Sequence, residues 1–313
     1  MNILVTGGAG FVGSHLCEAL ASNGNKVICF DNFSTGNPKN IENHKENIQI
    51  IEGDVNNLNE VQKVFSKNQI EKVFHYAAIV GVKRTLENPL EVLKDIEGTK
   101  NILELSRKHD IKKVIFASSS EVYGAPVEIP ETEEGHVNAK LPYAVTKLVS
   151  EKFLESYHQT YGLKTCSLRF FNVYGPRQEC SDYGFVTGIF IKKILKNQPP
   201  TIFNDGTQTR DFVFIEDNIR AALKAAESET TNGETINIGT GKPTTILDLA
   251  ETIARLCNKS IEPTFKDNPD DGIKHRFPCI SKMRKLLQIA PKYNLEEGLR
   301  KTILWYENHL NNQ

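Results

Sequence analysis

The 313-residue chain has no surplus of either charge, because 38 Lys and Arg nearly cancel 39 Asp and Glu. That balance denies it the broad positive field that draws nucleic acid or an acidic membrane, so a small molecule is the expected partner. No apolar window approaches the roughly 20 residues needed to cross a bilayer. At the N-terminus Ile3-Leu4-Val5 runs straight into Thr6-Gly7-Gly8, where a signal peptide would carry a basic region and a long apolar stretch. Neither membrane insertion nor secretion is expected. Cys17, Cys29, Cys166, Cys180, Cys257 and Cys279 show no CxxC spacing. They read as buried or free thiols of a reducing cytoplasm, with no metal expected.

What is present is an alternation. Short β-branched runs recur as NILVT, KVICFD, IQIIEGD, EKVFHYAA, KKVIFASS and TCSLRFF, separated by segments with helical spacing. Between the fourth and fifth runs, Leu90, Leu93, Ile96, Leu103 and Ser106 approximate one helical face opening after Pro89, which a first turn tolerates. Strands with so few polar positions must be covered on both faces. The expected fold is therefore α/β, a doubly wound parallel sheet with right-handed crossovers, followed by a smaller C-terminal α/β domain. Helices are expected near 185–196 and across 211–226.

Directly after the first strand stands Thr6-Gly7-Gly8-Ala9-Gly10-Phe11-Val12-Gly13, leading into a helix. Glycine at 7, 10 and 13 lets the turn tighten, lets backbone approach a pyrophosphate and lets the helix pack closely on the strand. The helix N-terminus then faces the anion. Gly8 to Ser14 also mimics part of a nucleoside-triphosphate loop, but no Lys precedes Ser14 to reach terminal phosphates. Asp31 ends the second strand eighteen positions beyond Gly13 (31 minus 13). A carboxylate there accepts hydrogen bonds from ribose hydroxyls and repels a 2′-phosphate, which points to NAD rather than NADP. The expected Rossmann-type NAD-binding domain comprises 1–171 plus about 208–230, and the substrate domain 172–207 with 231–313.

Tyr143 and Lys147 lie four apart in PYAVTK and project from one helix face. A phenol with an ordinary pKa of about 10 becomes a base near neutrality only beside positive charge, which Lys147 and an oxidised nicotinamide would supply. The strand KKVIFASSS ends in Ser118, Ser119 and Ser120 at the carboxyl edge where open α/β sheets bind ligands. A serine there can bond the reacting oxygen and relay its proton. No GxSxG elbow is present for a Ser-His-Asp hydrolase.

In this order TGGAGFVGSH, DNFSTG, HYAA, SSSEVYG, YAVTK, RFFNVYGPRQ and GTQTRDFVFIED resemble the extended short-chain dehydrogenase/reductase family, especially its UDP-glucose 4-epimerase-like members. The resemblance implies Tyr143 as catalytic base, Lys147 as its charged partner and ribose contact, and Ser119 as the catalytic hydroxyl. It implies cofactor contacts from Gly7, Gly10, Phe11, Val12, Gly13, Asp31, Asn32, Ser34, Thr35, Gly36, Asp54, Val55, Ala77 and Ala78. Toward the nucleotide-sugar it implies Lys83, Ser119, Ser120, Asn172, Arg177 and Arg210, with Lys274 or Arg276 as a second diphosphate contact. A homodimer built from the helices near 89–109 and 143–161 is implied too.

Three departures matter. Many 4-epimerases of this family carry an uncharged residue where Glu121 stands, whereas members that dehydrate or decarboxylate the sugar have an acid there, since proton removal at carbon 5 needs a base. Yet Ser120, not an Asp, precedes Glu121. Glucuronate-specific relatives resemble threonine at Asn172 and an extra arginine where this chain has Glu179, which would repel a sugar carboxylate. Relatives read GDI then a basic residue where this chain has Asp271-Gly272-Ile273-Lys274-His275-Arg276. The expectation is an NAD-dependent 4-epimerase of a UDP-hexose or UDP-N-acetylhexosamine, with a 4,6-dehydratase or related lyase using Glu121 as the alternative.

Overall fold

All six apolar runs form strands: β1 (Asn2–Thr6), β2 (Lys26–Asp31), β3 (Ile48–Glu52), β4 (Lys72–His75), β5 (Lys113–Ser119) and β6 (Thr165–Phe170). The computed structural model describes residues 1–44, 46–181, 183–267 and 273–310. Further along come β7 (Val173–Tyr174), β8 (Thr201–Phe203), β9 (Thr209–Asp211), β10 (Val213–Phe214), β11 (Glu234–Ile238), β12 (Pro243–Thr245) and β13 (Thr264–Lys266). The large sheet runs β11-β6-β5-β4-β1-β2-β3 with every neighbouring pair parallel. Its order reverses between β1 and β4, where the strand ends part and open a crevice.

The helices are α1 (Phe11–Ser22), α2 (Leu58–Lys67), α3 (Val82–Glu87), α4 (Pro89–Leu93), α5 (Asp95–Lys108), α6 (Pro142–Tyr161), α7 (Val186–Leu195), α8 (Ile215–Glu227), α9 (Ile246–Leu256), α10 (Ser281–Leu287) and α11 (Leu295–Leu310). Alternate side chains of β1 point to opposite layers. Ile3 and Val5 enter one apolar cluster with Leu16 of α1 and Ala222 of α8, while Leu4 enters another with Val61 of α2 and Ile102 of α5. This is why these strands read as continuous apolar runs.

Three expectations are corrected. β11 falls in the 231–313 stretch assigned to the substrate domain, yet it pairs with β6 as the seventh strand of the large sheet. The first cluster also runs on into Ile191 of α7, Leu249 of α9 and Leu299 of α11, so one core joins both parts of the chain. The 89–109 helix is two helices, because the chain turns at Lys94, whose N–H reaches back to Glu91 O. That break rephases the stripe: Leu90 is 75% exposed, and Val92, Thr99, Ile102, Leu103 and Ser106 face inward. The 211–226 helix starts only at Ile215, since β9 and β10 are drawn into pairing with β12 and β7.

A buried polar network fastens α6 to the sheet. Arg169 of β6 donates to both oxygens of Glu151 of α6, at 2.9 and 2.8 Å, and Ser118 of β5 donates to the same carboxylate at 2.5 Å. Arg169 also donates to the Tyr123 oxygen at 2.9 Å, and Tyr123 donates to Asn237 of β11 at 2.7 Å. Breaking one partner of such a pair strands a charge in the interior. Arg169→Met is therefore expected to cost about 3–5 kcal/mol of stability in urea unfolding. A loss below about 1 kcal/mol would show that the pair does not anchor the helix.

Candidate active site

The crevice is the mouth of a cavity of about 1110 Å³ along the carboxyl ends of the strands. That exceeds the roughly 300–1,000 Å³ typical of a site for one small ligand. On its cofactor side Gly7 adopts φ +66° and a Cβ on Gly13 would come within 2.0 Å of Gly7 O. Helix α1 begins with no side-chain cap and no acid in its first turn. Its leading N–H groups are therefore left to an anion. These features fit the pyrophosphate of a dinucleotide.

Asp31 is buried at the cavity wall. Its Oδ2 accepts the Ala9 N–H and its Oδ1 the Phe33 N–H, both at 2.9 Å. It thus shapes the glycine turn as well as facing the cavity. Each carboxylate oxygen has two lone pairs, so sites remain for two ribose hydroxyls. Burial raises Asp31 above the usual carboxylate range while those backbone N–H groups oppose it. Asn32, Ser34, Thr35, Asp54, Val55, Ala77 and Ala78 also line the cavity, as do Gly10, Phe11 and Val12. Gly36 does not; it packs behind Asp31, whose carboxylate a Cβ there would meet at 2.8 Å.

At the floor the three expected catalytic residues meet. Ser119 ends β5, and Tyr143 and Lys147 stand one turn apart in the first turns of α6, with Pro142 opening the helix. The Lys147 Nζ lies 5.5 Å from the Tyr143 ring centre and 4.7 Å from that of Phe116. Burial drives Tyr143 well above the usual phenol range, and a hydrogen bond with Ser119 pulls it back only in part. Burial likewise lowers Lys147 to about 8. The protein alone therefore holds the phenol protonated, which leaves the expected lowering to Lys147 and an oxidised nicotinamide acting together.

Beneath these groups runs a buried chain of hydroxyls. Thr6 Oγ1 accepts the N–H of Tyr76 and of Ala77, so its own hydrogen points to His75 Nδ1 at 2.8 Å. The His75 Nε2–H is then left to donate to Thr99 Oγ1 at 3.2 Å, and Thr99 lies 2.8 Å from Ser150 Oγ of α6. Burial, then Lys147, lower His75 to about 3, so the ring is neutral.

The substrate side departs further from expectation. Glu121 lines the cavity but is paired with Arg276, which also donates to Gly124 O at 2.9 Å. Arg276 is 1% exposed and does not line the cavity, nor does Lys274. Asp271 and Gly272 lie outside the described residues. Arg210 lines the cavity, donates to Thr209 O at 2.8 Å, and makes no ion pair among the described residues. Burial, then Arg276, lower it to about 10. Ser120 and Asn172 line the cavity, Asn172 being held by Asp211 O at 3.0 Å. Arg177 lines it too, bound to Glu18 at 2.7 Å and to Ser14 at 3.2 Å.

Lys83 points away, exposed and 4.8 Å from the Tyr183 ring centre, and Arg84 takes the wall position instead. One residue turns a helix face by about 100°, which is why a neighbour can replace the expected residue. Arg84 binds both oxygens of Glu179, at 3.0 and 3.1 Å, and so offsets the repulsion of a sugar carboxylate expected from Glu179. Asp95 was also missed. It lines the cavity, and its position on the stripe of Thr99, Ile102 and Ser106 was the available signal. Among the described residues no group of His, Cys, Asp and Glu is placed to hold a metal ion.

The model of the NAD-dependent epimerase/dehydratase family matches residues 3–239. The UDP-glucose 4-epimerase structure of Thermotoga maritima superposes with a TM-score of 0.95 at 35% identity, over 99% of this chain and all of that one. The UDP-N-acetylglucosamine 4-epimerase of Methanobrevibacter ruminantium, solved with UDP-N-acetylmuramic acid, gives 0.92 at 36%, over 98% of both chains. The UDP-N-acetyl-alpha-D-glucosaminuronate decarboxylase of Bacillus cytotoxicus is 37% identical over 97% of both chains.

Because Asp31 both faces the cavity and shapes the turn, Asp31→Asn is expected to weaken NAD binding about tenfold in calorimetric titration, the scale of one hydrogen bond to a charged acceptor. Unchanged affinity would remove Asp31 from the cofactor site.

Proposed function

The chain belongs to the NAD-dependent epimerase/dehydratase family, and on that premise we propose that it inverts carbon 4 of a UDP-hexose or UDP-N-acetylhexosamine. The observation that carries this reading is the convergence of Ser119, Tyr143 and Lys147 at the floor of a cavity larger than one ligand needs. NAD, held by the glycine turn and Asp31, would supply a reversible hydride acceptor for carbon 4. Tyr143 takes the proton of the 4-hydroxyl and gives it back, and Ser119 bonds the same oxygen. Lys147 holds positive charge beside the phenol and, together with the cofactor's oxidised ring, would favour the phenolate. Arg210, which pairs with no carboxylate among the described residues, offers its charge to the diphosphate, and Asn172 adds an amide beside it.

The second reading, a 4,6-dehydratase or related lyase, is favoured by Glu121 and by the decarboxylase relative. Against it, Glu121 is bound to the buried Arg276.

Incubating the protein with UDP-glucose, UDP-galactose and their N-acetyl forms is expected to interconvert one pair. Tyr143→Phe should lower turnover by about a hundredfold or more while NAD stays bound, the scale of a lost acid-base group. Products lighter by water or carbon dioxide would instead establish the lyase.

Among the described residues no helix is long and apolar enough to cross a membrane. We infer a cytoplasmic homodimer formed through α4, α5 and α6. The exposure of Leu90 and Leu93 on α4 supports an apolar face awaiting cover there. Light scattering should give twice the chain mass, and a monomer at micromolar concentration would contradict it.

A further inference from the structure

Among the described residues that line the cavity, Asp31, Asp54 and Asp95 make no direct ion pair, Asp54 accepting the Asn56 N–H, and of the lining lysines Lys94 is paired with Glu91 and Lys147 with no carboxylate. Glu151 is held by Arg169 and Glu121 by Arg276. Asp31 is occupied by two backbone N–H groups. Among the described residues neither Asp95 nor Lys147 makes a direct ion pair, and both line the same cavity. Asp95 is fixed rather than free to swing. Its Oδ2 accepts the Ile79 N–H at 2.9 Å. One turn on, Thr99 is tied through His75 to β1 and directly to Ser150 of α6, the helix that carries Lys147.

The charged and titratable groups around Asp95 are few. From α6 come Lys147, Tyr143 and Glu151; from β4, the neutral His75; from beyond β3, Asp54. Lys147 alone among them is positive. In a site withdrawn from water their attraction is weakly screened.

We propose that Asp95 is a positioning residue, the counter-ion that keeps the buried Lys147 ammonium charged and so sets the alkaline limit at which the site works. The proposal rests on Lys147 serving as the charged partner of Tyr143. Asp95 is the foremost influence holding Lys147 up against burial, with Glu151 next. Burial pushes Asp95 itself up to about 6, opposed by the Ile79 N–H and then Lys147, with Asp54 adding to the rise. The two groups are therefore oppositely charged between about 6 and about 8. Asp95 also disfavours the Tyr143 phenolate, but there it ranks behind burial and Glu121. Removing its charge acts first on the lysine.

The sign follows directly. Without the carboxylate Lys147 loses its proton at lower pH, and the positive charge beside the phenol disappears sooner as pH rises. Asp95→Asn keeps the shape and the acceptor for Ile79 N–H while deleting the charge. The test is carbon NMR titration of lysine-labelled, NAD-saturated protein, with Lys147 assigned by the signal lost in Lys147→Met. In Asp95→Asn the Lys147 midpoint should fall by about one pH unit, the lower end of the effect of a nearby opposite charge, and Asp95→Glu should restore most of it. The alkaline limb of turnover should move by the same amount with KM unchanged. A Lys147 midpoint that stays in place in folded Asp95→Asn overturns the proposal. If that variant does not fold, the wild-type Lys147 signal must show a second inflection near pH 6 from Asp95, and its absence is equally fatal. The titration needs no substrate, so it decides this proposal even if no nucleotide-sugar is converted.

Discussion

The chemistry depends on taking a phenol and an ammonium out of water together. Burial drives Tyr143 up and Lys147 down, so each group is pressed toward its neutral form. Left to burial alone the site would be inert at neutral pH. Everything else at the cavity floor works against that pressure: Ser119 bonds the phenol, Asp95 and Glu151 favour the ammonium, and the neutral His75 adds no competing cation.

The fold makes such burial possible by supplying fixed dipoles in place of water. Ser119 is delivered by the end of β5 and Tyr143 by the start of α6, and the spacing between them is set where Glu151 of α6 is bound by Ser118 and Arg169 of the sheet. Asn237 completes that network from β11. A strand that contributes nothing to the cavity lining thus helps to place Tyr143. On the opposite side of the crevice, the Asp31 carboxylate both lines the cavity and closes the glycine turn, so one residue shapes the wall and the local fold.

Local spacing was legible in the sequence and distant pairing was not. The six strands could be read because both faces of each are covered, and the glycine turn, Tyr143 and Lys147 because their geometry is fixed within one turn. β11 was missed since ETINI is short and partly polar, and pairing with β6, 68 positions away (234 minus 166), decides its conformation. Glu121 and Arg276 are 155 residues apart, so no spacing could reveal that the acid singled out as a base is already bound. Lys83 and Arg84 are neighbours, a rotation of about 100° apart on a helix that the sequence could not phase. Asp95 was within reach, as an acid lying on an inward-facing stripe.

The most direct test of this account is the tyrosinate absorbance of Tyr143, isolated as the difference between the wild type and Tyr143→Phe, followed against pH with and without NAD. The phenol is expected to resist ionisation across the accessible alkaline range in the free protein and to ionise at markedly lower pH once the cofactor's positive ring is beside it. Identical curves in the two states, or a phenolate already present near neutrality in the free protein, would contradict it.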